Sequence, residues 1–169
     1  MGLARMSQTV ILDDVLAPGL KIVFCGTRVG RKSAQDNAYY ASASNKFWAI
    51  LFKVGLTPKM LLPCEYKKLL TFDIGLTDIA KNSSGGDRGL PTTKYDVDDF
   101  LEKIDQFHPK VLAFNGKKAA KIYFDCREVE YGEQTEAIGG TAIFVLPSTS
   151  GAASRYWNEK YWSDLAKYI

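Results

Sequence analysis

Short apolar runs alternate along the chain with segments whose apolar residues recur at helical spacing. The runs at residues 21–26, 111–116 and 141–146 predict three strands, each bounded by a glycine or a proline. Their apolar positions are continuous rather than alternating, which is typical of strands buried on both faces of a parallel sheet. Residues 69–76 fit either a strand or a loop.

Helical spacing is clearest over residues 44–56, where the apolar positions from Phe47 to Val54 share one face. Ser44 fits an N-cap there, and Gly55 fits a C-terminal stop. Further helices are predicted over residues 63–70, 96–107, 117–123 and 156–169.

Strands that alternate with helices predict an α/β fold in which helices cover both faces of a parallel sheet. The length of 169 residues suits a single domain over residues 1–169. Residues 81–94 form one long polar stretch and predict a loop. A loop of this length is either a functional contact or a mobile excursion.

Composition excludes several classes of protein. Apolar residues make up 46% of the chain and charged residues 24%, which is typical of a folded globular domain. No apolar run approaches the ~18 residues of a spanning helix, and the first residues lack a signal-peptide layout. The three cysteines lie far apart and His108 is the single histidine. We therefore expect a cytoplasmic protein with no membrane partner and no cysteine or multi-histidine metal site.

Charge is segregated along the chain, although the net charge is only +3. Acidic residues crowd residues 96–105 and 128–136, so the remainder is clearly basic. This segregation can build one positive face for an anionic partner. The alternative is a solvated surface of mixed charge.

Small, polar and basic residues follow the predicted strands at residues 26–30, 115–118 and 147–151. Ligands of parallel sheets bind beyond these carboxyl ends. Gly116 followed by Lys117 suits a phosphate at a helix N-terminus, with ordinary turn chemistry as the alternative. The chain has no G-x-G-x-x-G pattern and no P-loop after the first strand, so dinucleotide binding and nucleotide hydrolysis are poorly supported.

Polar side chains and two tyrosines lie between the first predicted strand and helix. Asp36, Asn37, Tyr39 and Tyr40 fall within six residues of each other. An aromatic platform beside hydrogen-bonding groups suits a nucleobase turned out of its stack. Packing in the core is the alternative for at least one of the two tyrosines.

Four segments carry a family resemblance. The sequence DDVLAPGLKIVFCG at residues 13–26, NKFW at 45–48, NGK at 115–117 and LPSTSG at 146–151 resemble the mismatch-specific uracil-DNA glycosylases, which include thymine-DNA glycosylase. These belong to the wider uracil-DNA glycosylase superfamily. The resemblance extends over residues 13–155 and rests on the order and spacing of the segments.

This resemblance implies a three-layer α/β/α sandwich with a central four-stranded parallel sheet. It also implies a monomeric DNA-repair enzyme without cofactor or metal. Such an enzyme flips uracil out of DNA and hydrolyses its N-glycosidic bond, leaving an abasic site. The flipped base would stack on Tyr40, and Gly26, Thr27 and Ser148 would line its pocket.

The first motif, Gly26 to Gly30, departs from the family pattern. Arg28 stands where the family has an asparagine that positions the attacking water. A guanidinium has no acceptor, so it cannot orient water in that way. Arg28 is instead a phosphate clamp, a structural ion pair or a cation near the departing base.

Three nearby residues are candidates for positioning the water. Asp36 is the carboxylate of the segment and can act as a base or an electrostatic partner. Asn37 offers an amide. Asn45 matches the asparagine of a related superfamily branch active on hypoxanthine or uracil, through the stretch YYASASNKFW at residues 39–48. The alternative for Asn45 is a hydrogen bond at a helix N-terminus.

The second motif lacks the histidine that some branches use to polarise uracil, and His108 is expected to be structural. Ser148, backbone N–H groups or an arginine must then stabilise the departing anion. Arg155 or Tyr156 is a candidate to fill the vacated base position, and a phosphate contact is the alternative for Arg155. The expected DNA-binding residues are Lys32, Lys117, Ser150 and Arg155.

Two other functions remain open. One is a binder of uracil or abasic DNA that has lost catalysis with the asparagine. The other is a nucleotide-binding α/β enzyme that acts on a free nucleoside or nucleotide.

Overall fold

A computed structural model describes residues 11–84 and 94–169 of the protein. The described chain contains a five-stranded sheet with the order β2-β1-β3-β5-β4. Four strands run parallel, and β4 pairs antiparallel with β5 at one edge. The strands are β1 (Ile22–Val29), β2 (Ile74–Ser84), β3 (Val111–Asn115), β4 (Gly132–Ile138) and β5 (Thr141–Leu146).

Helices cover both faces of this sheet. The α-helices are α1 (Arg31–Asp36), α2 (Phe47–Lys53), α3 (Lys94–Phe107), α4 (Lys117–Phe124) and α5 (Glu159–Tyr168). Two 3₁₀ helices span Pro63–Phe72 and Gly151–Tyr156. Among the described residues, no helix combines the length and apolar character needed to cross a bilayer.

Strand β1 divides the core into two clusters because its successive side chains point to opposite faces. Ile22 and Phe24 pack with residues of α2 and α5, whereas Val23 and Cys25 pack with residues of α3 and α4. All four side chains are fully buried. This arrangement confirms the predicted α/β/α layers.

An aromatic cluster holds α2 and α5 against the sheet. Phe24 meets Phe47 edge-on with ring centroids 5.3 Å apart, and it stacks on Trp162 at 5.4 Å. The Trp162 indole N–H donates to the Pro147 carbonyl at 3.0 Å. The core is therefore tied directly to the loop that follows β5.

The expectation of a four-stranded sheet is corrected by the fifth strand, β4. Its sequence, GEQTEAI, is mostly polar, and most of its residues are exposed or half-buried at the sheet edge. An edge strand of this kind has no continuous apolar run to reveal it. The other four strands are those of the expected parallel sheet. Of residues 69–76, predicted as either strand or loop, 69–72 end the first 3₁₀ helix and 74–76 begin β2.

Several predicted boundaries also change. Residues 26–29 continue β1 instead of leaving it as a loop, because Gly26 and Arg28 pair with Asp78 and Ala80 of β2. Within the predicted loop at 81–94, the first four residues extend β2 and Lys94 begins α3, and the rest lies outside the described residues.

Two helices begin later than predicted. Helix α2 starts at Phe47 with Lys46 at its N-cap position, so the predicted N-cap at Ser44 is wrong. The Phe47 N–H donates to Asn45 Oδ1 just before the helix. Asn158 caps α5 by accepting from Lys160 N–H, and the residues before it form the second 3₁₀ helix. Gly55 follows α2 with φ +82°, which confirms the predicted stop.

We predict that Trp162→Ala lowers the free energy of unfolding by about 3–5 kcal/mol, because it leaves a cavity beneath Phe24 and Phe47. Phe52→Ala is the matched control, since Phe52 is 47% exposed on α2, and it should cost under about 1 kcal/mol. Urea denaturation measures both changes. Equal losses would contradict the assignment of Trp162 to the core.

Candidate functional site

Gly26, in the second half of β1, pairs with Asp78 in the middle of β2. A Cβ atom at Gly26 would lie 2.6 Å from Asp78 Oδ1 and 3.5 Å from the Tyr40 hydroxyl. A side chain at this position would force the carboxylate to shift, so glycine permits Asp78 to lie where it does. Asp78 is only 4% exposed, and it forms a buried acidic group at this edge of the sheet.

Tyr40 has an unusual backbone conformation, with φ +51°. This left-handed region costs energy for a non-glycine residue and persists when the surroundings hold it. One face of its ring stacks on Phe47 with centroids 4.0 Å apart. The residue is half-buried although its hydroxyl is shielded from solvent. The Tyr40 hydroxyl therefore points inward, toward Gly26 on β1.

Hydrogen bonds hold the backbone on both sides of Tyr40. The Ala41 N–H donates to Ser33 Oγ at 3.0 Å, and the Trp48 indole N–H donates to the Tyr39 carbonyl at 3.1 Å. Buried groups on α1 and α2 thus fix the segment between these helices. They supply the support that the strained residue needs.

The Tyr40 hydroxyl lies between Asp78 and Asn115. It makes no hydrogen bond of standard geometry among the described residues, although Asn115 lies close enough to lower its pKa. Burial and the Asp78 carboxylate act more strongly and raise the pKa of Tyr40 well above its ordinary value. The phenol therefore stays protonated and remains a hydrogen-bond donor.

A two-way hydrogen-bond clamp fixes the loop after β5. Asn115 Nδ2 donates to Thr149 Oγ1 at 2.9 Å, and the Thr149 N–H donates to Asn115 Oδ1 at 3.0 Å. The Lys46 N–H donates to the Thr149 carbonyl at 2.9 Å. A Cβ atom at Gly151 would lie 2.5 Å from Ser44 Oγ, so the loop packs closely on the segment before α2.

Ser148 lies on the same loop, half-buried, beside the start of α4. Gly116 has φ +107°, and a Cβ atom there would lie 3.2 Å from Ser148 Cβ. The Ser148 hydroxyl accepts the Ser150 N–H at 3.2 Å. The loop therefore presents Ser148 and Ser150 at the same edge as Asn115.

An ion-pair network lies behind Asp78. Lys81 Nζ is 3.0 Å from Asp14 Oδ1 and 3.9 Å from Asp78 Oδ2, and it donates to the Tyr39 hydroxyl at 3.1 Å. Lys103 Nζ lies 2.6 Å from Asp14 Oδ2. The Lys81 side chain is only 12% exposed, so its charge compensates the two carboxylates in a poorly solvated setting.

The four predicted base-binding residues lie close to this edge. Gly26 and Tyr40 meet at Asp78, Thr27 is buried next to Gly26 on β1, and Ser148 adjoins Gly116. A chain of contacts thus links both sequence motifs, through Asn115.

The candidates for positioning water lie in different settings. The Asp36 carboxylate faces solvent and pairs with Lys32 at 3.1 Å. Asn37 ends α1 with φ +50° and is exposed. Asn45 is half-buried, and its Oδ1 accepts the Phe47 N–H at 3.0 Å. The structure therefore places the expected helix-terminal hydrogen bond on Asn45.

The basic candidates lie on three different elements, β1, α4 and the second 3₁₀ helix. Arg28 is half-buried on β1, opposite Ala80. Lys117 begins α4 with its Nζ 4.4 Å from the Tyr131 ring centroid. Arg155 donates to the Tyr156 hydroxyl on the second 3₁₀ helix, and both side chains are exposed.

Sequence reasoning missed Asp78 and the partnership of Asn115 with Thr149. The signal for Asp78 was a Thr-Asp pair between the apolar residues of β2, which is visible only once β2 is recognised. His108 is exposed after the last residue of α3, and its structural role stays a prediction. Among the described residues, no group of three or more potential ligands could hold a metal ion.

The chain is thus an α/β protein with a mainly parallel sheet. In this class of protein, ligands bind at the carboxyl ends of the strands. The model of the uracil DNA glycosylase superfamily matches residues 14–166. The chain therefore belongs to this superfamily, which confirms the resemblance at that level. Membership of the mismatch-specific branch remains a prediction.

A solved structure has the same fold. It is the solution NMR structure of a candidate uracil DNA glycosylase from Methanosarcina acetivorans, with a TM-score of 0.62 and 23% sequence identity. The match covers 93% of this chain and 95% of that one. At this identity the likeness supports the fold alone.

We predict that Asp14→Asn destabilises the protein at neutral pH by about 1–3 kcal/mol. Burial raises the pKa of Asp14, but Lys81, Lys103 and a hydrogen bond from Thr77 together lower it below its ordinary value. The ionised form is thus favoured in the folded state. Its stabilising effect is present above the ordinary carboxyl pKa and is lost as the pH falls through the lowered one.

Urea denaturation from about pH 7 to about pH 3 tests this, with both proteins measured at each pH. The difference between wild type and Asp14→Asn should shrink as the pH falls. A difference that stays constant or grows would contradict the assignment.

Proposed function

We propose that this protein is a DNA glycosylase that flips uracil out of DNA and hydrolyses its N-glycosidic bond, leaving an abasic site. The observation that carries the proposal is the meeting of Gly26, Asp78 and the Tyr40 hydroxyl at the sheet edge of a chain of this superfamily. A pocket of this kind suits a planar base with polar edges.

Tyr40 is the proposed stacking surface for the flipped base. Phe47 backs one face of its ring at 4.0 Å, so the ring is held in place before the base arrives. A positioned ring loses little freedom on binding. The energy of base stacking is then available to offset removal of uracil from the helix.

Asp78 is the proposed acceptor for the N3–H group of uracil. A carboxylate accepts hydrogen bonds, so Asp78 suits the N–H on the polar edge of uracil, whereas Tyr40 contributes the face of its ring. The two side chains therefore contact different parts of the base. Lys81 Nζ lies 3.9 Å from Asp78 Oδ2 and offsets the negative charge of this carboxylate.

The reaction breaks the bond between C1′ of the sugar and N1 of uracil. Both electrons leave with the base, and the sugar passes through an oxocarbenium-like state. Water then adds to C1′ and releases a proton. Arg28 and the Ser148 hydroxyl are the proposed groups that stabilise the departing anion.

Asn45 is the proposed water-positioning residue. It lies between the Tyr40 segment and Lys46, whose N–H holds the loop after β5. Its Oδ1 accepts one N–H and keeps a second lone pair for water. Asp36 and Asn37 are the alternatives, and the exposed ion pair of Asp36 with Lys32 counts against a close approach to the base.

Phosphate contacts are proposed for Lys32, Lys117, Ser150 and Arg155. Arg155 and Tyr156 share an exposed segment that directly follows the loop after β5. Either side chain can fill the space that the flipped base leaves. This partition of phosphate and base contacts is typical of proteins that read damaged DNA.

We predict that Tyr40→Ala slows uracil release about 100-fold, because it removes both the stacking ring and the hydroxyl. Tyr40→Phe keeps the ring and should lose about 10-fold. Single-turnover release from an oligonucleotide with one deoxyuridine measures both. Binding of uracil-free DNA should survive in each variant, and wild-type release rates in both would refute the assignment.

We predict that Asp78→Ala slows uracil release about 10- to 100-fold, since an acceptor for the base is lost. Asp78→Asn retains an acceptor oxygen and the shape, so it should retain more activity. Asp73→Ala is a control carboxylate, exposed beyond the first 3₁₀ helix. Unchanged release in Asp78→Ala, with the fold intact, would remove Asp78 from the pocket.

We predict that Asn45→Ala lowers the single-turnover rate more than Asp36→Ala or Asn37→Ala does, by about 100-fold against wild type. DNA binding should change little in all three. The largest loss in Asp36→Ala would assign the water to that carboxylate instead. Uracil-DNA binding by wild type without base release would favour a non-catalytic binder.

A further inference from the structure

Three tyrosines form an aromatic patch beside the loop after β5. Tyr131 precedes β4, Tyr156 ends the second 3₁₀ helix and Tyr161 lies on α5. The Tyr131 and Tyr161 ring centroids are 5.2 Å apart. Burial raises the pKa of Tyr131, with smaller contributions from Tyr156 and Tyr161. We refer to Tyr131, Tyr156 and Tyr161 as the tyrosine patch.

The patch adjoins the candidate site. Lys117, which lies over the Tyr131 ring, directly follows Gly116, and Gly116 packs on Ser148. Tyr156 lies five residues beyond Gly151, where the loop after β5 ends. The patch and the candidate site therefore adjoin the same two segments, the loop after β5 and the start of α4.

Cations lie over the rings of this region. Lys117 Nζ is 4.4 Å from the Tyr131 centroid, and Arg155 Cζ is 4.7 Å from that of Tyr156. Two further contacts lie in the same region, Lys160 over Tyr161 and Lys46 over Trp157. Four of the seven cation–ring contacts among the described residues are therefore in this region. Positive charges are thus concentrated on aromatic rings that are half-buried or exposed.

These cations differ in how firmly they are held. Lys160 also pairs with Asp164 at 2.7 Å, so its charge is already compensated. Lys117 lies over the Tyr131 ring, and Arg155 lies over the Tyr156 ring and donates to its hydroxyl. These partners are uncharged, so they hold a cation less firmly than an anion does. A phosphate is a stronger partner for either one. Moving to a phosphate would uncover the ring beneath.

We propose that the tyrosine patch is a stacking platform for unpaired DNA nucleotides next to the flipped base. Lys117 and Arg155 move from the rings to the phosphates, and the bases stack on the uncovered rings. Bases in a duplex already stack on each other and cannot use such rings, so the protein prefers single-stranded DNA. The proposal rests on the proposed function only in taking DNA as the substrate.

Fluorescence anisotropy with uracil-free oligonucleotides tests the patch without any need for catalysis. The same sequence is used as a single strand and as a duplex, at one fixed salt concentration. Wild type should bind the single strand more tightly. Tyr131→Ala and Tyr161→Ala should each weaken single-strand binding about 10-fold and duplex binding much less.

Two further variants serve as controls. Tyr131→Phe keeps the ring and should retain most of the affinity. Tyr168→Ala removes a 42%-exposed tyrosine that also lies beneath a lysine, Lys110, which precedes β3 at the opposite edge of the sheet. It should leave single-strand binding unchanged. Thermal unfolding confirms that each variant is folded.

Three results would overturn the platform. They are unchanged single-strand affinity in folded Tyr131→Ala and Tyr161→Ala, an equal loss for single strand and duplex, or the same loss in Tyr168→Ala. Uracil release is measured separately at saturating DNA. If wild type releases no uracil but the tyrosine variants bind single strands more weakly, the proposed glycosylase activity is refuted and the stacking platform is supported. If wild type releases uracil but the variants bind single strands normally, the activity is supported and the platform is refuted.

Discussion

The absence of a side chain at Gly26 is the constraint on which the candidate site depends. Only there can the Asp78 carboxylate of the neighbouring strand and the Tyr40 hydroxyl approach β1, because a Cβ atom would lie 2.6 Å from Asp78 Oδ1. The buried carboxylate in turn requires compensation, which the ion-pair network around Lys81 supplies. The strained backbone of Tyr40 is held by α1 and α2.

A second set of contacts, centred on Asn115, forms the other half of the site. Asn115 and Thr149 exchange two hydrogen bonds, and Lys46 holds Thr149 from the start of α2. The same residue, Asn115, lies beside the Tyr40 hydroxyl. Packing of Trp162 against Phe24 then ties the loop after β5 to the core. Two residues that organise the site, Gly26 and Asn115, therefore lie on β1 and β3, which are inner strands of the sheet.

Much of the fold could be predicted because buried parallel strands and amphipathic helices have strong patterns. Edge strand β4 could not, since solvent on its open side permits polar residues. Tyr40 was predicted from its segment and family resemblance. Asp78 was not, because its role depends on a ladder partner, Gly26, some fifty residues away, and a single sequence does not reveal strand register.

The most direct test is a cleavage assay in EDTA on labelled oligonucleotides with one deoxyuridine, followed by hot alkali to break abasic sites. Single-stranded, U·A and U·G substrates are compared with thymine controls. The proposed function predicts strand breaks at uracil alone, abolished or strongly slowed in Tyr40→Ala. Intact uracil strands in every context, with folded wild-type protein bound to them, would contradict it.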